Sequence, residues 1–290
     1  MKNLWIAGVV AASLGLSACG ATASLNDAVT SLGSSPYLQV HLSAAAAGPG
    51  TTQAQQMLSA LSVDLSYQNP TGASLASSQG AANAELIVNA GGAALIDVRE
   101  VASNVYVMLN LSALSNVPDE SLSPTETSAL ELLFGGRWFE LPASLINSYV
   151  PQGAAATATA AKERALGSKI IDDLTTLISD TSYTTLASGG YSQTGTLASV
   201  VKAVWPTIAA ADGDLTTPSD VPGTYAVTIN TSGSSTTGGS VAITAPGATG
   251  VDETVTLNAT VAHASDDIAA PTGATVITPA LLKGLLAQAT

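Results

Sequence analysis

Cysteine is nearly absent: the chain of 290 residues has one, Cys19, so no internal disulfide can reinforce the fold. Basic residues are also scarce, with eight Lys and Arg against 21 Asp and Glu, and the formal net charge is −13. Such a surface repels nucleic acid and anionic lipid headgroups. With only His41, His263 and one cysteine, the chain has no His/Cys cluster for a zinc site. No Gly-x-Ser-x-Gly elbow is present and neither histidine sits in a nucleophile motif, so the chain reads as a non-enzyme without cofactor or metal. Long apolar runs are lacking too. Leu4 to Leu16 is too short to span a bilayer comfortably, and nothing later approaches that need. What is present is 46% hydrophobic residues, ample for a core, which argues against disorder throughout.

The N-terminus carries the clearest signal. Lys2 precedes the apolar run Leu4 to Leu16, which ends in small residues before Cys19, as in a secretory leader. Leu16-Ser17-Ala18-Cys19 resembles the lipobox of bacterial lipoproteins. That resemblance implies that residues 1–18 are removed, taking one Lys with them, and that Cys19 becomes the acylated N-terminus. Two or more acyl chains on one residue hold a protein stably at a membrane without a transmembrane helix. The expected location is therefore the extracytoplasmic face of the cell membrane, with small, polar residues 19–24 as the tether. An ordinary leader, or a buried N-terminal strand, with an incidental cysteine is the alternative.

Beyond the tether, period-two alternation dominates. Leu25 to Leu32 reads as one or two helical turns, and Tyr37 to Ala44 places Leu38, Val40, Leu42 and Ala44 on one side of a strand, with His41 on the other. Leu61, Val63, Leu65 and Tyr67 form the apolar side of a second strand. Ala84-Leu86-Val88 and Ala94-Ile96-Val98 flank Gly91-Gly92, which is a hairpin signal. Val105 to Leu109 is apolar on both faces. Ser123-Pro124-Thr125-Glu126 predicts a helix over Pro124 to Phe134, and Trp138 to Pro142 reads as a short strand or edge segment.

Helical spacing returns at Ala160 to Ser179, with Leu166, Ile170, Leu174, Leu177 and Ile178 on one side and Lys162, Glu163 and Asp173 on the other. The pair Asp172-Asp173 reads as exposed. A further helix is predicted from Thr196 to Trp205, ended by Pro206. Strands resume with Tyr225-Val227-Ile229, a polar loop over Thr231 to Gly239, Val241 and Ile243, and Val255-Leu257-Ala259-Val261. Thr278-Pro279 caps a last helix. Asp212-Gly213-Asp214 with Asp220 lacks the ligand order of a calcium loop and reads as a solvated turn.

The order of these elements resembles the LolA and LppX/LprG type of bacterial lipoprotein. The resemblance rests on the lipobox, a strand after a short helix, the meander around Asn104-Val105-Tyr106-Val107, Gly136-Arg137-Trp138 followed by Leu141-Pro142, central helices and closing strands. It implies an α+β fold in which a curved, mostly antiparallel sheet forms a half-barrel covered by several helices, with an apolar cavity between them for acyl chains. Residues 25–290 would then form a single domain with a helical insertion around residues 112–190.

Expected liners of such a cavity are Val63, Leu65, Val105, Val107, Leu109, Leu174, Ile178, Tyr225, Val227, Leu257 and Val261. Each buried methylene of a guest is worth about 0.8 kcal/mol. Core and cavity liners have the same composition, so a filled core is the competing reading. The leading function is binding or carrying a lipid or other apolar ligand by a monomer. The alternative is a structural or interaction lipoprotein that docks an envelope partner. A third reading, an enzyme, requires His41 or His263 to meet a carboxylate and a serine in a cleft.

Overall fold

Alternating apolar and polar residues make strands whose two faces differ, and this chain builds nearly all its described structure that way. A computed structural model describes residues 31–78, 82–116, 135–145, 183–187, 189–211, 218, 221–233, 235–247, 250–263 and 267–281, with helical positions scattered between 165 and 177. Cys19, the expected leader and the expected tether, the predicted helix Pro124 to Phe134, Ile178 and the acidic group at Asp212 to Asp220 lie outside the described residues.

Twelve strands are described: β1 (Tyr37–Ala47), β2 (Leu61–Gln68), β3 (Asn83–Ala90), β4 (Ala93–Val101), β5 (Asn104–Leu109), β6 (Trp138–Leu141), β7 (Thr184–Thr185), β8 (Tyr191–Thr196), β9 (Thr224–Ser232), β10 (Ser235–Pro246), β11 (Asp252–Ala262) and β12 (Thr275–Val276). Among the described residues, two α-helices have both ends described, α1 (Thr52–Ala60) and α2 (Leu197–Ala211), and helical positions also occur at residues 31–34, 143–145 and 279–281. The fold is α+β. The strands form one sheet in the order β12-β6-β5-β4-β3-β2-β1-β11-β10-β9-β8-β7, mostly antiparallel and not closed into a barrel. Contacts cluster in two units, one of residues 36–43, 56–152 and 263–290, the other of residues 1–35, 44–55 and 153–262.

In the first, the β2–β6 unit, neighbouring strands pair so that apolar residues meet across the ladder. One row runs Val40, Leu65, Leu86, Val98, Val107 and Phe139, and the next runs Leu42, Val63, Val88, Ile96 and Leu109. Directly opposed residues share a face, so these rows form one apolar surface. The β3–β4 turn uses Gly91 and Gly92 at φ +57° and +80°, where glycine has no Cβ to clash. The β4–β5 turn makes the same reversal with Ala102 and Ser103 at φ +50° and +73°. A bulge beside Val88 leaves Leu95 out of the ladder, where it packs on buried Ala90 and Ala113.

The end of the chain returns to this unit. Gln68 and Asn83 hold it: the Ile268 N–H donates to Gln68 Oε1 at 2.8 Å, Gln68 Nε2 donates to Asp267 Oδ1 at 2.7 Å, and Asn83 Nδ2 donates to the Ile268 carbonyl at 3.1 Å. Ile268 and Ile277 are buried. β12 then pairs parallel to β6, so Trp138 to Leu141 is an inner strand of the sheet.

In the second, the β8–β11 unit, β9, β10 and β11 form a meander with β8 alongside β9. The predicted polar loop Thr231 to Gly239 is a correction. Its turn is confined to the residues around Gly233, and Ser235 onward is already strand. The ladder hydrogen bonds available there outweigh the polar composition. The helix expected to stop at Pro206 also differs, since α2 continues to Ala211. A proline removes one backbone hydrogen bond, but the following turn can keep the remaining ones. Buried Thr207 donates its hydroxyl to Asp173, which ties this part of α2 to the helical segment between residues 165 and 177. Asp173 is therefore not a simple exposed-face residue like Asp172.

Candidate functional site

The expected liners are placed by strand parity. Val63, Leu65, Val105, Val107 and Leu109 all fall on the apolar face of the β2–β6 unit, each half-buried. Tyr225, Val227, Leu257 and Val261 share the apolar face of the β8–β11 unit. Leu174 is a half-buried helical residue, and Ile178 lies outside the described residues.

On the β8–β11 face, exposure changes across the sheet. One row runs Gln193, Val227, Val241 and Leu257, and the adjacent row runs Gly195, Tyr225, Ile243 and Val255. At the β8 and β9 side, Gln193 is 2% exposed and Tyr225 is 6% exposed. At the β10 and β11 side, Val241, Ile243, Val255 and Leu257 rise to 37%, 41%, 42% and 55%. Leu257, expected as an interior liner, is thus an exposed one. Four large aliphatic side chains lie together in open view, an arrangement that in soluble proteins usually marks a binding surface. Val241, Ile243 and Val255 belong with Leu257, and their period-two spacing already put them on its face.

The buried side of this face carries polar groups. Gln193 Nε2 donates to the Tyr225 hydroxyl at 3.3 Å, while Gln193 Oε1 has no hydrogen-bond partner among the described residues. Exchanging the amide nitrogen and oxygen leaves the other end bare instead, because one of the two always faces away from Tyr225. The Tyr183 hydroxyl and Trp205 Nε1 are also buried without partners among the described residues. Burial, with a smaller contribution from Tyr225, pushes the Tyr183 phenol up to about 12. Gly195 sits under the Tyr225 ring, where an added Cβ would lie 2.5 Å from a ring carbon. Sequence reading missed Gln193 because Tyr191-Ser192-Gln193-Thr194-Gly195-Thr196 has no apolar alternation.

The opposite face of the β2–β6 unit is ionic. Arg99 pairs with Glu85 at 2.8 Å and Asp97 at 3.1 Å, and its guanidinium stacks 4.7 Å from the Trp138 ring. Burial holds the Asp97 carboxyl above its usual range against the lowering effect of Arg99. Glu85 is likewise raised, first by burial and then by Asp97 and Asp64, with Arg99 opposing. His41 Nδ1 bonds Asp64 Oδ1 at 2.8 Å, and Asn89 Nδ2 donates to the other Asp64 oxygen at 2.6 Å. His41 therefore has the carboxylate that an enzyme reading requires. Among the described residues, no hydroxyl bonds its other ring nitrogen, and His263 is exposed. Burial also raises the Tyr67 phenol.

Among the described residues, no group of three or more His, Cys, Asp or Glu is arranged to hold a metal ion. No described helix is long and apolar enough to cross a membrane. Comparison with known protein families, curated proteins and solved structures finds none that the chain matches.

Proposed function

We propose that this chain is a lipoprotein held at the extracytoplasmic face of the cell membrane by acylated Cys19, and that it binds or carries a lipid or other apolar ligand without covalent chemistry. The observation that carries this reading is the open aliphatic patch of Val241, Ile243, Val255 and Leu257, continuous by register with a buried end at Gln193 and Tyr225. An alkyl chain laid on such a patch gains about 0.8 kcal/mol for each methylene withdrawn from water. In this reading the sheet curves as in the LolA and LppX/LprG type, helices cover part of its apolar side, and the protein acts as a monomer that does not bind nucleic acid. The low content of Lys and Arg supports the last point.

The same patch supports a second reading, an interaction lipoprotein whose aliphatic surface docks an envelope partner. Native mass spectrometry of the full chain, purified from a lipid-rich host and followed by solvent extraction, separates the two. A stoichiometric co-purifying lipid supports the carrier. A clean protein mass, unchanged after incubation with lipids, refutes it. The mass of the N-terminal peptide tests the anchor: diacylglycerol on Cys19 is expected, and an unmodified Cys19 in a processed chain would overturn it.

A further inference from the structure

The buried side of the β8–β11 apolar face is not simply a wall. A buried polar atom without a partner costs about 1–3 kcal/mol, and most buried polar groups find one. Among the described residues, two such atoms belong to neighbouring residues: the free end of the Gln193 amide, which is 2% exposed, and the hydroxyl of Tyr183, which falls opposite Gln193 when the antiparallel register of Thr184 with Ser192 and Thr185 with Tyr191 is carried one residue on. Gln193 shares a register row with Val227, Val241 and Leu257, so the bare amide stands at the buried end of a row whose other end, Leu257, is exposed. Three strand spacings separate the two ends, about 14 Å. That distance suits a medium-length alkyl chain.

We propose that Gln193 and Tyr183 form a recognition site for a neutral hydrogen-bonding group, the hydroxyl or ester carbonyl of an uncharged amphiphile, whose alkyl chain runs outward over Val227, Val241 and Leu257. This rests on the apolar-ligand reading of the same face and names its ligand class. Neutrality follows from the groups present. An amide and a phenol can donate or accept, which suits a hydroxyl or a carbonyl equally. The group whose field reaches Tyr183 is another phenol, Tyr225, rather than a carboxylate or a base. Among the described residues, Gln193, Tyr225 and Tyr183 offer an ionic headgroup no counter-charge, and a buried charge without a partner is strongly disfavoured. With its phenol pushed up to about 12, Tyr183 keeps its proton for donation at neutral pH.

The test uses the full chain in amphipol and three probes with one twelve-carbon chain: 1-dodecanol, n-dodecane and dodecyl phosphate, measured by equilibrium dialysis. One buried hydrogen bond predicts that dodecanol binds about tenfold more tightly than dodecane. Gln193→Leu and, separately, Tyr183→Phe should bring that ratio close to one. Tyr183→Phe removes a single oxygen, so it keeps the test decisive if Gln193→Leu disturbs folding. Equal binding of dodecanol and dodecane by the unaltered chain, or tightest binding of dodecyl phosphate, overturns the neutral site while leaving the apolar surface intact. Failure of all three probes to bind overturns both.

Discussion

Leu257→Ala discriminates an open face from a filled core. A fully buried leucine is worth about 1.5–3 kcal/mol in burial alone, and its removal from a packed core costs about 3–5 kcal/mol once the cavity is included. Leu38, 4% exposed, sets that upper scale in the β2–β6 unit. Leu257 is 55% exposed, so less than half of its surface is withdrawn from water and no closed cavity remains after truncation. Its loss should cost about 1 kcal/mol or less. The assay is urea unfolding followed by hydrogen exchange and mass spectrometry, reading peptides of β11 and of β1–β2 separately, so that the two units need not unfold together. Leu38→Ala is expected to lower the midpoint of the β1–β2 peptides strongly, and Leu257→Ala to leave the β11 peptides nearly unchanged. A cost of 2.5 kcal/mol or more for Leu257→Ala would refute the reasoning, because only a covered side chain loses that much.

Replacing Ala102-Ser103 by Asn-Gly should stabilise the β4–β5 hairpin by about 1 kcal/mol, since both residues hold positive φ and this pair favours that turn; an unchanged melting temperature would count against strain there. Arg99→Met should destabilise the β2–β6 unit by about 2–4 kcal/mol, read by urea midpoint, because Asp97 would remain buried without its cation. The Glu85 carboxyl is raised above its ordinary value of 4.5, so the native state binds its proton more readily than the unfolded chain. Its contribution to stability is thus fully present below pH 4.5 and is lost as pH rises through the native value. The stability difference between the unaltered chain and Glu85→Gln, measured by urea midpoint from pH 4 to 7, should fall with rising pH; a flat or rising difference would show that burial does not govern this group.

Strands with one apolar face were legible because successive side chains of a strand point to opposite sides, which gives a period-two pattern whether that face is covered or open, as in Leu61-Val63-Leu65-Tyr67 and Val255-Leu257-Ala259-Val261. The Gly91-Gly92 turn was equally plain. Elements without such a stripe went unread. α1 has no buried residue to mark a helical face, β7 and β8 are rich in Ser, Thr and Gly, and β12 is two residues long. Those strands exist because neighbouring strands offer ladder hydrogen bonds, and that offer is not written in their own side chains.

The sequence by itself determined which residues share an apolar face, since strand parity is a local property of the backbone. It also determined the acidic charge balance, the single cysteine that follows an apolar run, and the scarcity of metal-binding side chains. Only the tertiary structure decided how much of each face is covered: Leu38 and Leu257 have the same chemistry and the same alternation, yet one is buried and the other open. It alone also placed Gln193 at the buried end of an apolar row. Burial is a property of what packs against a residue, and those neighbours come from distant parts of the chain.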